Sequence, residues 1–482
     1  MNRKMVLYMI GQVMKVEGIL LLLPAGVAAL YTESCVFSLL ITAGIAFGMG
    51  MALTTFCKTK NRVIYAKEGF VIVAFAWILM SAVGALPFVI SGEIPSFIDA
   101  FFETVSGFTT TGASILNDVE AMSRGLQFWR SFTHWIGGMG VLVFIMAVVP
   151  TISDRSIHIL RAEVPGPTVG KLVPRMKDTA KILYLLYIVL TVAEILLLLL
   201  GGMSLFESAV HAFGTAGTGG FGVRADSIGS YSPYLQWVIT IFMIIFGVNF
   251  NLFYLVLIGR VKAALKSTEL WFYIALWVGS TLIVVLNLSS YGYDSSMSDI
   301  VRGSAFQTAS IMTTTGYATL DFTKWPNLSQ GILVLLMCIG SCAGSTAGGL
   351  KIARVILLGK MIRREIRHML HPRSVGVVKF EGKRVDDQTL RSVSAYFAIY
   401  MVISAVIFLL LCFDGFDMTT NLTAMIACFN NIGPGLGQVG PMYSYAAFSD
   451  FSTIVLSMAM LLGRLEIFPL LFALSPSTWI KR

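Results

Sequence analysis

The sequence predicts an all-α polytopic membrane protein, in which an N-terminal helical hairpin precedes four pseudo-symmetric span–pore helix–span repeats around one central ion pore. Three observations predict this fold class: an apolar composition, ten long apolar runs and a glycine-centred segment that recurs four times. Of the 482 residues, 56% are hydrophobic and 13% are charged. Soluble domains carry about a quarter charged residues, so most of this chain is expected to lie in lipid.

The ten apolar runs set the number of predicted membrane spans. Each is about 20 residues long, which is enough to cross ~30 Å of hydrocarbon. The first two runs form the predicted hairpin over residues 1–57, and the other eight supply two spans to each repeat. The runs are 5–30, 36–57, 70–91, 127–150, 182–202, 234–258, 270–288, 328–350, 393–412 and 450–474.

The distribution of basic residues predicts the orientation. Of the 35 Lys and Arg residues, 28 lie at the two termini or in the segments 58–67, 155–181, 260–266 and 351–391. Lys and Arg accumulate in cytoplasmic loops, so both termini are predicted to be cytoplasmic, in agreement with an even number of spans. The net charge of +9 follows from this bias and does not indicate nucleic-acid binding. Segment 351–391 is also a candidate docking surface for a cytosolic partner.

Four repeats follow the hairpin, over residues 68–150, 178–260, 268–360 and 388–482. Between its two spans each repeat has a short stretch of about 12 residues, too few to cross the membrane. The short stretches are 96–108, 204–215, 300–312 and 418–429. Each leads into a glycine that has a polar residue two positions before it. The pairs are Thr110 and Gly112, Thr218 and Gly220, Thr314 and Gly316, and Asn431 and Gly433. This order predicts a re-entrant half-helix followed by irregular backbone, which is tolerated at membrane depth where it lines water or protein.

The repeated glycine segments have the chemistry of a filter for a dehydrated monovalent cation. Backbone carbonyl oxygens replace the hydration shell of K⁺ in channels whose filters read Thr-Val-Gly-Tyr-Gly. Glycine permits the positive φ that turns successive carbonyls toward one axis, and threonine adds a hydroxyl oxygen. The predicted K⁺-binding residues are Thr110, Thr111, Gly112, Thr218, Gly219, Gly220, Thr314, Thr315, Gly316, Asn431, Ile432 and Gly433.

The residues around these segments resemble the Trk/Ktr/HKT superfamily of potassium transporters, and the likeness runs nearly end to end. The N-terminal hairpin over residues 5–57 fits the Trk branch, since the Ktr branch lacks it. The second repeat is the least channel-like, because Gly219 stands where two other repeats have threonine. The supporting stretches are FWRSFTHWIGGMGVLVF (128–144), LRAEVPGPTVGKLVPRMKDTAK (160–181), GSCAGSTAGGLKIARV (340–355) and LLGRLEIFPLL (461–471).

The resemblance implies potassium uptake across a bacterial inner membrane by a homodimer with one pore per subunit. It also implies a cytosolic regulatory subunit of the RCK type, similar to TrkA, that docks beneath the membrane. A nucleotide, NAD or ATP/ADP, is expected only on that subunit, and no cofactor is expected on this chain. Membrane lipid is an expected partner and nucleic acid is not.

A run of small residues in the third repeat is the first candidate gate. A straight helix is disfavoured here, because each glycine costs up to ~1 kcal/mol relative to alanine. The alternatives are an intramembrane loop across the pore and a small-residue seam for close helix packing. The family resemblance favours the loop, whose counterpart is regarded as the gate. The residues assigned to it are Gly340, Ser341, Gly344, Ser345, Gly348 and Gly349.

Arg464, in the middle of the last predicted span, is the second candidate gate residue. A central arginine costs about 2.5–3.5 kcal/mol on insertion scales and normally faces a cavity or a partner. Glu466 is two positions on and would point away from it on a helix. Arg464 is therefore predicted to project toward the loop 340–349, where a fixed positive charge hinders cations. A buried ion pair elsewhere is the alternative.

Two further questions stay open in the sequence. Glu103 and Glu207 lie on the first two short stretches, where they either attract cations to the outer mouth or cap helix N-termini. The alternative function is a K⁺ symporter coupled to H⁺ or Na⁺, although such carriers usually have inverted repeats and a midplane site. The sequence contains no catalytic constellation, so an enzyme is not predicted.

Overall fold

The computed structural model describes residues 2–58, 65–140, 176–292, 296–374 and 376–479, and these are mostly helical. The prediction of a helical, apolar fold is confirmed at that level. One small antiparallel hairpin is also present, formed by β1 (Lys379–Phe380) and β2 (Lys383–Arg384). The end of the predicted span 127–150, most of the basic segment 155–181 and most of the stretch 160–181 lie outside the described residues.

The described helices include long apolar ones and short ones. Up to residue 257 they are α1 (Arg3–Leu20), α2 (Leu22–Leu30), α3 (Val36–Phe56), α4 (Ala66–Gly84), α5 (Leu86–Ser91), α6 (Phe97–Phe108), α7 (Arg124–Gly138), α8 (Met176–Leu200), α9 (Leu205–Gly217), α10 (Pro233–Phe246) and α11 (Phe250–Leu257). After it they are α12 (Val261–Ala264), α13 (Thr268–Ser290), α14 (Met297–Met312), α15 (Asn327–Ile339), α16 (Ile352–Leu370), α17 (Asp387–Leu411), α18 (Met418–Phe429), α19 (Asp450–Arg464), α20 (Phe468–Leu474) and α21 (Pro476–Trp479).

Fewer continuous spans are found than the ten apolar runs predict. Within the described residues, six helices are long and apolar enough to cross a membrane, or up to eight if each sharply bent pair is one span. The bent pairs are α10–α11, at 91°, and α19–α20, at 119°. The apolar run 328–350 is not one continuous helix, because α15 ends at Ile339 after 13 residues, where the predicted loop 340–349 begins. Hydropathy alone cannot separate a spanning helix from a buried loop of small residues.

Four short helices, α6, α9, α14 and α18, occupy the predicted short stretches. Each begins at a polar N-cap whose side chain accepts a hydrogen bond from the backbone N–H three residues later, which satisfies one of the free donors of the first turn. The caps are Ser96, Ser204, Ser296 and Asp417. The first three belong to a Ser-x-x-Asp/Glu pattern that recurs once in each of the first three repeats.

Two glycines allow the helices α1 and α3 of the N-terminal hairpin to pack closely. A Cβ placed on Gly50 of α3 would lie 2.7 Å from Gly11 O of α1, and a Cβ on Gly11 would lie 3.0 Å from Gly50 O. These distances are shorter than carbon–oxygen contact allows, so the two backbones can approach only because both residues lack side chains. Small residues serve this purpose between helices in lipid.

The outward faces of the long helices are apolar. Leu200, Leu286 and Leu409 are 80%, 61% and 64% exposed. A soluble protein rarely leaves such large apolar side chains exposed in contiguous patches. This surface suits contact with lipid tails.

Candidate ion site

Each of the four short helices ends in the same backbone conformation. The polar residue two positions before the aligned glycine has a φ of 56° in every repeat, at Thr110, Thr218, Thr314 and Asn431. The N–H of the next residue donates to the carbonyl five residues back, at 2.8–2.9 Å in all four. This is the hydrogen bond that closes a Schellman-type helix end. Positive φ is unusual for a β-branched residue, and such strain is concentrated at functional sites.

The four glycine segments (110–112, 218–220, 314–316 and 431–433) close into a ring. Each aligned glycine has a positive φ, between 80° and 97°. A Cβ on any of them would lie within 3.0 Å of a backbone carbonyl oxygen in the next segment, so only glycine fits. The order of contacts runs from the first segment to the second, third, fourth and back to the first. The pairs are Gly112 with Gly219, Gly220 with Thr315, Gly316 with Ile432, and Gly433 with Thr111.

A cavity opens onto this ring. Its volume is about 620 Å³, and all four aligned glycines line it: Gly112, Gly220, Gly316 and Gly433. The rest of the lining comes mainly from the chain that follows the first, second and fourth glycine segments. The ring therefore presents its backbone to one solvent-accessible space.

The hydroxyl and amide groups of the ring have distinct partners. Asn431 Nδ2 donates to Thr111 Oγ1 at 2.9 Å, which joins the fourth segment to the first. The Thr314 hydroxyl accepts a hydrogen bond from Gly348 N at 2.7 Å. Thr110 Oγ1 is buried and has no hydrogen-bond partner among the described residues. An oxygen in that state is available to a ligand.

Glu207 has the capping role that the sequence left open. Its N–H donates to Ser204 Oγ, and its carboxylate accepts from Ser204 N, which completes a capping box at the start of α9. Tyr231 and Arg224 also donate to it, at 3.0 and 3.4 Å. Burial acts to raise the pKa of Glu207, but the hydrogen bonds from Ser204 and Tyr231 and the charge of Arg224 outweigh it and lower the pKa. Glu207 therefore remains ionised at neutral pH.

Glu103 has neither of the two predicted roles. Its side chain is fully buried, and it forms an ion pair with Arg130 of α7. The N-cap of α6 is Ser96 instead. Sequence reasoning missed this pair, because the 27-residue separation reflects contact between two different helices.

The small-residue loop (Gly340–Gly349) is not helical and lies directly against the ring. Besides the bond from Gly348 to Thr314, Ser341 Oγ donates to Met312 O at 3.0 Å. A Cβ on Gly348 would meet Asn430 O and Asn431 Cβ. The loop therefore touches the third and fourth segments. A seam on a continuous helix, the alternative weighed from sequence, is not what this segment forms.

A carboxylate at the start of α13 anchors the loop. Glu269 Oε1 accepts a hydrogen bond from Ala343 N at 2.7 Å. Glu381, in the turn between β1 and β2, accepts in turn from Glu269 N at 3.1 Å and from Ser267 Oγ at 3.0 Å. A continuous set of contacts thus runs from the β-hairpin to the loop. These residues lie in three separate parts of the sequence, which carries no local signal for their contact.

Arg464 contacts the loop at a second point. Its guanidinium donates to Thr346 O at 2.8 Å and to Gly138 O at 2.9 Å, and also to Gly137 O. The side chain thus bridges the loop and the end of α7. The helix ends at Arg464, so Glu466 lies beyond it, where it pairs with Arg354 of α16.

Comparison with known proteins gives the family. The family model described as "TrkH: Cation transport protein" matches residues 37–481. The chain belongs to the TrkH family of cation transport proteins. Over nearly its whole length it is similar to other members of the TrkH family, and the prediction of the superfamily is confirmed.

Two relatives and one solved structure illustrate the similarity. The Trk system potassium uptake protein TrkH of Salmonella typhimurium is 35% identical over 467 residues, 95% of each chain. The Trk system potassium uptake protein TrkG of Escherichia coli is 34% identical, covering 99% of this chain and 98% of the relative. The crystal structure of the potassium transporter TrkH from Vibrio parahaemolyticus matches with a TM-score of 0.90 at 31% identity and covers 100% of both chains.

Proposed function

We propose that this TrkH-family protein takes up K⁺ across the bacterial inner membrane through a pore formed by its four repeats. The twelve residues of the ring act as the selectivity filter, and α6, α9, α14 and α18 act as re-entrant pore helices. Both termini are cytoplasmic in this proposal. The relatives named above are potassium uptake proteins by name, and that ion suits the ring chemically.

The closed ring of glycine segments is the observation that carries the proposal. Four chain segments with matching φ at the polar residue and the glycine meet in cyclic order, and all four glycines line one cavity. Backbone carbonyls in such an arrangement replace the water shell of a dehydrated cation. The C-terminal ends of the four short helices lead into the ring, and their partial negative charge favours a cation there.

The reversal potential of the purified chain tests the proposal. In a planar bilayer with a K⁺ gradient, we expect the potential to lie at the K⁺ equilibrium value and to shift when Na⁺ replaces K⁺. A superimposed pH gradient is expected to leave it unchanged. A potential that ignores the K⁺/Na⁺ exchange would contradict the selective filter.

Coupled transport with H⁺ is the alternative to this passive pore, and two buried carboxyl groups are the residues through which it would act. Glu17 of α1 and Glu194 of α8 are buried carboxyl groups within apolar helices. Ionisable groups within apolar helices often belong to proton pathways. A reversal potential that moves with the pH gradient would establish this coupling and overturn the passive pore.

We further propose that the small-residue loop and Arg464 form the gate of this pore. The loop donates a hydrogen bond to the ring at Thr314, and Arg464 holds the loop at Thr346. A cytosolic RCK-type subunit would act on it from below, and the chain would function as a homodimer. Support for docking comes from α16, which begins next to the loop and exposes apolar residues beside basic ones. The exposed apolar residues are Ile362, Ile366, Met369 and Leu370.

Glu269 gives a direct test of the gate. We expect Glu269→Ala to raise K⁺ flux by up to about tenfold, because Ala343 N loses its acceptor and an unsatisfied buried donor costs the closed loop about 1–3 kcal/mol. Glu269→Gln keeps an acceptor oxygen for Ala343 N and is expected to stay within about twofold of the unsubstituted protein. Rubidium uptake into proteoliposomes measures both. Equal flux in both variants and the unsubstituted protein would show that this contact does not hold the gate.

A further inference from the structure

A buried ion pair lies behind the first two glycine segments. Glu103 in α6 and Arg130 in α7 have side chains that are 0% and 4% exposed, and Arg130 Nε donates to Glu103 Oε1. Removing two charges from water is costly, and their attraction offsets the cost only when further hydrogen bonds satisfy both groups. The other hydrogen-bond partners of Glu103 and Arg130 therefore indicate which parts of the chain the pair stabilises.

Both partners reach the chain that leaves the ring. Glu103 accepts hydrogen bonds from Ser114 Oγ at 3.1 Å and from Ile115 N at 2.9 Å, just after Gly112. Arg130 donates to Gly222 O at 3.3 Å. Its guanidinium carbon also lies 3.5 Å from the centre of the Phe221 ring, the residue after Gly220. One ion pair thus holds the outgoing chains of two adjacent segments.

Uncharged groups have the corresponding task in the third and fourth repeats. Gln307 stands nine positions before Gly316, as Glu103 stands nine before Gly112. Gln307 Nε2 donates to Leu320 O at 2.9 Å. In the fourth repeat, the hydroxyl of Thr423 accepts from Leu436 N at 2.9 Å. The second repeat has an ion pair of its own between α9 and the outgoing chain, Glu207 with Arg224, but those side chains are 23% and 40% exposed. At the described contacts between short helices and outgoing chains, the buried charged support therefore belongs to the boundary between the first and second repeats.

We propose that Glu103 and Arg130 are positioning residues that set the K⁺/Na⁺ selectivity of the ring. The inference rests on the proposed function and names what fixes the ring's dimensions where the first segment meets the second, next to Gly219. A filter discriminates by the size of its oxygen cage and by the number and strength of its carbonyl dipoles. Hydrogen bonds to charged groups are the stronger ones. By holding two outgoing chains, the pair resists contraction of the cage around the smaller Na⁺.

The test is a set of permeability ratios from reversal potentials with K⁺ on one side and Na⁺ on the other. The variants are Glu103→Gln, Arg130→Gln and the double variant. We expect all three to lower the K⁺/Na⁺ ratio by about threefold or more, because each loses charged hydrogen bonds to the outgoing chains. If the pair acted by its charge alone, Glu103→Gln and Arg130→Gln would change the K⁺/Na⁺ ratio in opposite directions. The double variant would then have the ratio of the unsubstituted protein. That result would overturn the positioning role.

Two controls keep the inference separate from folding and from the proposed function. Lys324→Gln removes one positive charge from a side chain that is 78% exposed, and the ratio is expected to stay unchanged. Ser114→Ala removes one hydrogen bond to Glu103 but keeps the pair, so it remains testable if the charge variants fail to fold; a smaller fall in the ratio is expected. An unsubstituted protein without K⁺ preference would contradict the proposed function. A selective protein whose folded variants all keep the full ratio would contradict only the inference about the ion pair.

Discussion

Gly112→Ala is expected to abolish selective K⁺ transport in folded protein. Gly112 has a φ of 80°, and an added Cβ would overlap the carbonyl oxygen of Gly219. That oxygen belongs to the neighbouring glycine segment, so the ring must widen or that carbonyl must turn away. Either change alters the oxygen cage on which discrimination depends. We expect rubidium uptake to fall by more than about tenfold, or the K⁺/Na⁺ ratio to approach about one.

Gly92→Ala is the matched control for this substitution. Gly92 has the same φ of 80°, but a Cβ there would meet nothing within 4 Å among the described residues. Both variants force alanine into the left-handed region, at a cost of roughly 1–2 kcal/mol. The overlap with a carbonyl is specific to Gly112. Equal transport by the two variants would show that the close approach of Gly112 to the Gly219 carbonyl oxygen is not needed for transport.

The sequence predicts the ring because its signal is repeated. The glycine and the polar residue two positions before it occur at the same spacing four times. In every repeat the polar residue has a φ of 56° and the glycine a φ between 80° and 97°. The left-handed conformation of Thr110, Thr218 and Thr314 is not predictable from residue type, because threonine seldom adopts it. Helix termination by tertiary packing overrides that preference here.

Contacts between distant segments are the part that the sequence does not predict. Glu103 and Arg130 meet because two helices cross, and Glu269 meets Ala343 across 74 positions. Periodicity describes one helix at a time and contains no information about its neighbour. The Ser-x-x-Asp/Glu pattern at Ser96, Ser204 and Ser296 is different, since it is local and could have located three helix starts from the sequence.

Arg464→Ala is expected to raise K⁺ flux by about tenfold or more, because hydrogen bonds from a charged donor contribute about 1.5–3 kcal/mol each. The guanidinium donates to Thr346 O in the small-residue loop and to Gly137 O and Gly138 O at the end of α7. Alanine releases the loop from the first repeat. It also removes a positive charge from the proposed ion route, and both effects favour cation passage.

Arg464→Lys separates the two effects. Lysine keeps the positive charge but lacks the planar fork that bonds several carbonyls at once. If tethering dominates, Arg464→Lys will conduct nearly as well as Arg464→Ala; if charge dominates, it will conduct nearly as poorly as the unsubstituted protein. Arg364→Ala is the control, since Arg364 pairs with the largely exposed Asp387. Its flux is expected to be unchanged.

We expect tethering to dominate, because the three acceptors of Arg464 belong to two structural parts that must separate for the loop to move. The loop is already fixed at one end by Ile352 N, which donates to Ser341 O at 3.0 Å, and by Glu269 at Ala343. Arg464 supplies a further contact at Thr346, two residues before Gly348, whose N–H donates to the Thr314 hydroxyl. Unchanged or abolished flux in folded Arg464→Ala protein would remove this residue from the gate and leave the contacts of Ser341, Ala343 and Gly348 to hold the loop.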